Sequence, residues 1–435
     1  MSDLLLTAGK RTESTLSERF GGRVKLGEGE ELQGNARSRV LRFPVQEGPG
    51  SAPESVIVKH TNSETFAREA SNGAAWRLFN DWASLQFLSQ VEAPEPFAPA
   101  FYGGDAQVGL YVMEDLKAGT RLDHLLLLQD PQTDRRNSPL AQQSRPTSCL
   151  DLQEEYNKEK PNTSSVFALG SNSEAAEDGL MAYARLHGRL HALTAGREAE
   201  YLRIRKRLGP VASSDSYYNY EWLSAALYEI TGLLDVPVKL GADEELQDLR
   251  ASLLAPGPFN VFVQSDAAPD NFLFDGTHWR LLDFEGARYT HALLEASYCR
   301  MPFPTCWCVY RMPEPLIERM ETVYRAELVK GCPEAADDAL FYRGLVGACI
   351  TWALSFHAMM RTLEKMLEQD RLLIALTDRQ RFLLYLNSAV QACASFGYLH
   401  AVGDTLHACA KQLTQRWPEA ANPPYYPAFS SRVRQ

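Results

Sequence analysis

The stretch Val263 to Gly286, VQSDAAPDNFLFDGTHWRLLDFEG, gathers Asp266, Asp270, Asn271, Asp283 and Glu285 between apolar runs. Just before it, Asn260 to Val263 (NVFV) is β-branched and aromatic, the composition of a short buried strand. The polar stretch Gln264 to Asn271 follows. Pro269 fixes its own φ and biases Ala268 towards extended backbone, which predicts a stiff loop and not a helix. Phe272 to Phe274 is strand-like again, Asp275-Gly276 is a turn signal, and Trp279 to Leu282 can return antiparallel. Such a hairpin carries Asp283 back towards Asp266 and Asn271, so three oxygen-bearing side chains converge at one end of a small sheet.

Like charges placed together cost free energy unless a cation or protons neutralise them. Carboxylate and amide oxygens suit Mg²⁺, which takes few protein ligands and shares the rest with phosphates and water. A solvated acidic loop is the plainer alternative. The apolar flanks and the spacing D-x-x-x-x-N, then a hairpin, then D-F-E, favour a functional site.

The segment resembles the catalytic core of the aminoglycoside phosphotransferase family, a small-molecule branch of the protein-kinase-like fold. The family pattern is roughly H-G-D-x-x-x-x-N followed by a metal motif containing Asp. Gln264-Ser265-Asp266-Ala267-Ala268-Pro269-Asp270-Asn271 is similar to the first part, and Leu282-Asp283-Phe284-Glu285 to the second. The resemblance implies that Asp266 is the catalytic base or substrate-orienting carboxylate and that Asn271 and Asp283 hold Mg²⁺ against the phosphates of ATP. Gln264 stands where the family has His, and Ser265 where it has Gly.

Upstream, Gly27-Glu28-Gly29 and Gln33-Gly34-Asn35-Ala36 precede Arg39 to Val45, which reads as a strand. Glycine turns there can let backbone N–H groups approach phosphates. Val56 to Lys59 is the next strand, and by the resemblance Lys59 clamps the α/β-phosphates. The helix that follows spans about Ala74 to Gln90, with Leu78, Trp82, Leu85 and Leu88 on one stripe. Asp81 lies at that stripe's edge, and an inward carboxylate needs a partner. Lys59 is the obvious one. Glu69 is the other acid to weigh, but Ser71-Asn72-Gly73 directly after it predicts a separate turn. Gly109 to Met113 then runs into Glu114-Asp115-Leu116, which is similar to the hinge between lobes in the family. There adenine would meet the backbone of Glu114, Asp115 and Leu116.

A chain of 435 residues, 45% hydrophobic, can bury a large core in two lobes or domains. A net charge of −11 and a pI near 5.4 argue against nucleic acid as the main partner and suit a cationic small substrate. The N-terminus has no signal-peptide core, no apolar run is long enough to span a membrane, and a cytoplasmic place is expected. Leu345 to Leu354 reads as a buried helix. The eight cysteines are scattered, and Cys306-Trp307-Cys308 is not a zinc spacing. His187 and His191 share a helix face without an acid at ligand spacing, so a core role is preferred over a metal pair. Gln129 to Gly179 is polar and aperiodic, which predicts a mobile insertion or a lid.

The fold class expected is α+β, a two-lobed protein-kinase-like fold. Residues 1–115 would form an antiparallel-sheet N-lobe carrying Lys59 and Asp81. Residues 116–435 would form a helical C-lobe with the catalytic segment 260–286 and the insertion at about 129–179. The expected function is ATP- and Mg²⁺-dependent transfer of the γ-phosphoryl group to a hydroxyl of a small molecule, an aminoglycoside, amino sugar, amino alcohol or similar metabolite. No nucleic acid or membrane partner is expected, and monomer and dimer stay open. The competing class is a weakly active or inactive kinase-fold regulator that binds nucleotide, for which Gln264, Ser265 and Asp81 speak. A protein kinase is disfavoured, because no A-P-E segment follows Asp283.

Overall fold

A computed structural model describes residues 2–34, 38–61, 66–69, 73–117, 119–128, 172–211 and 216–430. The N-terminal sheet has six strands: β1 (Lys25–Leu26), β2 (Glu30–Gly34), β3 (Ser38–Glu47), β4 (Ser55–Thr61), β5 (Phe101–Asp105) and β6 (Leu110–Glu114). Their order is β1-β3-β4-β6-β5, with β2 also on β3, and all pairs are antiparallel.

Side chains alternate across such a sheet, so each strand serves two layers. On one side Val56, Val58, Leu110 and Val112 pack with Leu41 and Phe43 beneath helix α1 (Ser2–Phe20), which contributes Ala8 and Leu16. On the other side lies helix α2 (Gly73–Leu88), whose Leu78, Phe79, Trp82 and Leu85 join Tyr111 in the main core. Lys59, one residue past Val58, therefore points at α2, and it pairs in register with Tyr111 across β4 and β6. Glycine in the turn between β1 and β2 has a packing role. A Cβ on Gly29 would sit 2.3 Å from the Phe43 ring. Asn35 and Ala36 of the second expected glycine turn lie outside the described residues.

The remainder is mostly helical. Strand β7 (Thr120–Arg121) leads into α3 (Leu122–Leu127), then come α4 (Asn172–Thr194), α5 (Glu198–Leu208), α6 (Trp222–Leu234) and α7 (Ala242–Leu254). The catalytic segment supplies β8 (Asn260–Val263), β9 (Phe272–Phe274), β10 (Trp279–Leu281) and β11 (Arg288–His291). After it follow α8 (Leu293–Ala296), α9 (Glu314–Leu328), α10 (Asp338–Ser355), α11 (Leu363–Glu368), α12 (Asp378–Phe396) and α13 (His400–Arg416). The chain thus has the α+β, two-lobed kinase-like arrangement, a curled antiparallel sheet beside a helical body.

Two expectations need correction. The polar tract does not reach Gly179, because α4 already begins at Asn172. Glu174, Glu177 and Asp178 make these residues look like loop, yet Ala176, Leu180, Tyr183 and Ala184 are buried at helical spacing. The rest of the expected insertion, residues 129–171, lies outside the described residues. Nor do the strands of the catalytic segment share one sheet. The β9–β10 hairpin forms as expected and joins β7, whereas β8 pairs with β11.

Among the described residues one helical run, Asp338–Met360, is long and apolar enough to cross a membrane, and 67% of its most apolar window is buried inside the protein. It carries the buried Leu345 to Leu354 and packs on α12 in the core.

Candidate active site

Lys59 closes one side of the site. Its Nζ lies 2.5 Å from Asp81 Oδ2 and 3.5 Å from Asp283 Oδ1. Burial opposes the ammonium charge, but the Asp283 and Asp81 carboxylates outweigh it and hold the Lys59 pKa well above its ordinary value. Lys59 is therefore a fixed cation at any physiological pH. Asp81 is itself nearly buried and fully engaged. Its Oδ2 also accepts from the Tyr111 hydroxyl at 2.7 Å, and its Oδ1 accepts from the Phe284 N–H at 3.1 Å. Burial first, then the Asp81 charge, pushes the Tyr111 phenol well up, so it stays a neutral donor. Glu69 is exposed on a turn.

Asp283 has a left-handed backbone, φ 62°, a conformation that costs a non-glycine residue about 1–2 kcal/mol and is better tolerated by Asp than by most. Its neighbours hold it there. Phe284 is tied to Asp81, and Glu285 receives Arg77 at 2.9 Å while its carbonyl receives Asn80 at 3.1 Å. Asn80 in turn accepts from the buried Arg205 at 2.6 Å. Helix α2 is thereby clamped to the D-F-E turn by three of its side chains, Arg77, Asn80 and Asp81, which meet Phe284 and Glu285.

On the other side, the Asn271 amide nitrogen donates to Asp266, at 3.0 Å to its carbonyl and 3.2 Å to Oδ2. The Thr305 hydroxyl donates to Asp266 Oδ1 at 2.6 Å. The hairpin supplies the remaining link, because the Leu282 N–H donates to the Asn271 carbonyl at 2.9 Å. A continuous set of contacts thus runs from Lys59 through Asp81 and the Asp283 turn to Asn271, Asp266 and Thr305. Asp270 points elsewhere and receives the Trp307 indole N–H at 3.1 Å.

Gln264 fills the place of the family's His without losing a brace. Its amide nitrogen donates to the Leu282 carbonyl, and its oxygen faces His187 Nε2 at 3.4 Å. His187 and His191 are both buried and serve the core. His191 sits between Tyr324, 2.7 Å away, and Glu295, 2.9 Å away. The other Glu295 oxygen accepts the Ser265 N–H at 2.5 Å. The two histidines therefore reach the catalytic loop through Gln264 and Glu295.

At the lobe crossover the Asp115 carboxylate is bound by Arg42 at 2.7 and 3.1 Å and by Ser55 at 2.8 Å. Glu114 accepts the Ala100 N–H at 3.0 Å. Both side chains thus brace the crossover. Thr305, Trp307, Glu295, Tyr111 and Arg42 were not anticipated from the sequence. Only Glu295 carried a signal: an acid inside the apolar run ALLEASY must find a partner.

The oxygen set fits a hard cation. Asn271 turns its nitrogen to Asp266, so Oδ1 is the atom it would offer a metal, and Asp283 would add a carboxylate. No cluster of three His, Cys, Asp or Glu side chains able to hold a metal occurs among the described residues. Two protein ligands with the balance from phosphate and water is a Mg²⁺ pattern, not that of a protein-caged metal. A separate groove along α9 and α10, lined by Arg300, Glu314, Glu321 and Phe341, includes none of these residues.

Residues 159–309 match the family model described as Phosphotransferase enzyme family. The match contains Asp266, Asn271, Asp283, Glu295 and Thr305. No curated protein matches the chain in sequence. Among solved structures, the chain is similar to a choline kinase from Cryptosporidium parvum Iowa II, at 11% identity and a TM-score of 0.44, covering 93% of this chain and 99% of that one. It is also similar to choline kinase LicA from Streptococcus pneumoniae, at 13% identity and a TM-score of 0.38 over 89% and 98% of the two chains. A third is the ADP-bound aminoglycoside phosphotransferase APH(2'')-Ib, at 11% identity and a TM-score of 0.39 over 90% and 97%. At such identities no substrate is carried across.

Proposed function

We propose that this chain is a small-molecule kinase that transfers the γ-phosphoryl group of ATP to a hydroxyl group, with Mg²⁺. The observation that carries the reading is the connected network from Lys59 and Asp81 through the Asp283 turn to Asn271 and Asp266. A purely structural acidic loop has no use for a fixed, buried lysine at one end and a hydroxyl-braced aspartate at the other.

In this reading Lys59 binds the α/β-phosphates, and Asp81 keeps its ammonium aimed at them. Asn271 and Asp283 hold Mg²⁺, which would offset charge on the phosphate oxygens. Asp266 orients the acceptor hydroxyl and receives its proton. The acceptor oxygen forms a bond to the γ-phosphorus as the bond from that phosphorus to the bridging β–γ oxygen breaks, and ADP leaves with the electron pair. Thr305 and Asn271 fix the Asp266 carboxylate for that role. Positioning and charge neutralisation supply most of the rate in this chemistry. The backbone of Glu114 to Leu116 would receive adenine, residues 1–115 and 116–435 would be the two lobes, and the protein would work in the cytoplasm.

An inactive regulator rested on Gln264, Ser265 and Asp81. Gln264 keeps a donor on Leu282, Ser265 keeps its N–H on Glu295, and Asp81 reaches Lys59 despite its short side chain. The deciding experiment follows ADP release from Mg-ATP by purified protein against hydroxyl acceptors of different charge. Acceptor-dependent release is expected. Nucleotide binding with no release for any acceptor would favour the regulator.

A further inference from the structure

Arg288 opens β11 directly across from Val263 of β8, three residues before Asp266. It is half-buried. Its Nη1 donates to the Ser265 hydroxyl at 3.0 Å, and its guanidinium carbon lies 4.0 Å from the centre of the Tyr218 ring. Tyr217 and Tyr220 are its other close neighbours, and Tyr217 is stacked on Trp222 at 5.4 Å. The two arginines nearest to it in sequence that are more deeply buried have carboxylates: Arg280 holds Asp275 at 2.8 Å and Arg300 holds Glu321 at 2.7 Å. Among the described residues, no carboxylate lies within ion-pair distance of Arg288. Hydroxyls and rings orient a guanidinium, but they do not neutralise it, and a partly desolvated charge without a counterion is costly.

Ser265 gives a second, independent sign. Its φ is 73°, in the left-handed region where glycine is at ease and another residue is strained by about 1–2 kcal/mol. Glycine is what the family pattern has at this position. What serine adds is a hydroxyl, and that hydroxyl receives Arg288. Strain beside the catalytic aspartate is thus retained together with a side chain that holds a guanidinium in place.

We infer that Arg288 seats an anionic group, a carboxylate or a phosphate, on the same acceptor whose hydroxyl Asp266 orients, with Tyr218 as the floor of that seat. This rests on the phosphotransfer reading. It narrows the acceptor to a hydroxylated acid or a polyol or sugar phosphate, and away from the amino sugars and amino alcohols that the acidic composition favoured. A planar guanidinium grips either anion through two parallel N–H donors.

The test uses full-length protein and probes matched in size but not charge. Glycerate and gluconate form the carboxylate arm, and glycerol 3-phosphate and glucose 6-phosphate the phosphate arm. Glycerol is the neutral control, and ethanolamine and glucosamine the cationic ones. Binding with Mg-ADP present is read by calorimetry, and ADP release from Mg-ATP is read separately. At least one anionic probe should bind more tightly than its neutral and cationic counterparts. R288A should weaken it by about tenfold or more, with ATP affinity unchanged. R288K, which keeps the charge but loses the fork, should restore part of the binding and so rule out a folding defect. The arm that binds distinguishes carboxylate from phosphate.

Absence of anion preference, or anion binding unchanged in R288A, overturns the inference even if another acceptor gives ADP. Loss of ATP affinity in R288A with anion binding intact overturns it too, because it assigns Arg288 to the nucleotide. Arg288-dependent anion binding without ADP release supports the seat and counts against the phosphotransfer reading alone.

Discussion

Gln264 donates its side-chain amide to the carbonyl of Leu282, and so ties the residue two before Asp266 to the residue just before Asp283. An imidazole N–H could make the same bond, which is why His and Gln can exchange here. The amide does not titrate, so this brace is independent of pH. Q264H should keep ADP release within a few-fold. Q264A leaves the Leu282 carbonyl without this donor and loosens the spacing of the two aspartates, so kcat should fall roughly 100-fold, the cost of about 1 Å of misplacement. Steady-state kinetics on both variants checks this.

Asp266 and Asp283 should fail differently. D266N keeps the hydrogen bonds of the loop but removes the proton acceptor. It should retain Mg-ATP binding and lose about 10²–10⁴-fold in kcat. D283A removes a metal oxygen and should weaken Mg-ATP binding itself. Calorimetric titration beside an ADP-release assay separates the two. Full activity in D266N would sink the assignment.

Removing the acid beside Lys59 should cost fold as well as function. D81A strands the Lys59 ammonium, the Tyr111 hydroxyl and the Phe284 N–H, all of which use that one carboxylate. Breaking a buried pair from one side typically costs roughly 3–5 kcal/mol. Urea unfolding should show a loss of that order, and nucleotide affinity should fall with it. E69A changes an exposed turn and should move neither.

Acid should destabilise the protein partly through His291. Its Nδ1 accepts the Leu293 N–H at 3.2 Å and its ring stacks on Phe259 at 5.2 Å, so the folded state needs it neutral. Burial lowers its pKa from 6.5 to about 4. The unfolded chain therefore takes up the proton first. Stability is complete above pH 6.5 and is lost as pH falls from there to about 4, by roughly 3 kcal/mol at most. His187 and His357 are lowered by burial in the same direction. Urea midpoints measured from pH 7.5 to 4.5 should fall, and H291N, which can still accept the Leu293 N–H, should flatten the curve.

Much of the frame was legible because it is written in local periods. The run NVFV and the hairpin around Asp275-Gly276 form where alternation and turn chemistry place them, and the strand expected to end at Lys59 forms but runs on to Thr61. The helix expected over about Ala74 to Gln90 spans Gly73–Leu88. Helix α12 is capped by Thr377, which forms a reciprocal capping pair with Gln380, a signal of local sequence. What local patterns could not reveal is which strand pairs with which. β8 left the hairpin for β11 because residues 264–271 loop away before β9 begins. Partners from distant segments were likewise hidden. Thr305 on Asp266 and Arg42 on Asp115 bridge 39 and 73 residues, and nothing in either neighbourhood announces the other.

Helix α2 grips the site through Arg77, Asn80 and Asp81, three side chains within five consecutive residues. A helix that swung outward to silence the enzyme would turn by roughly 100° for each residue of slippage. Even a fraction of such a turn would pull all three from the D-F-E turn at once and take Lys59's partner with them. This helix therefore cannot serve as a throttle at small cost. On the phosphotransfer reading, the pace would then be set by the arrival and departure of small molecules, in a cleft that is assembled beforehand.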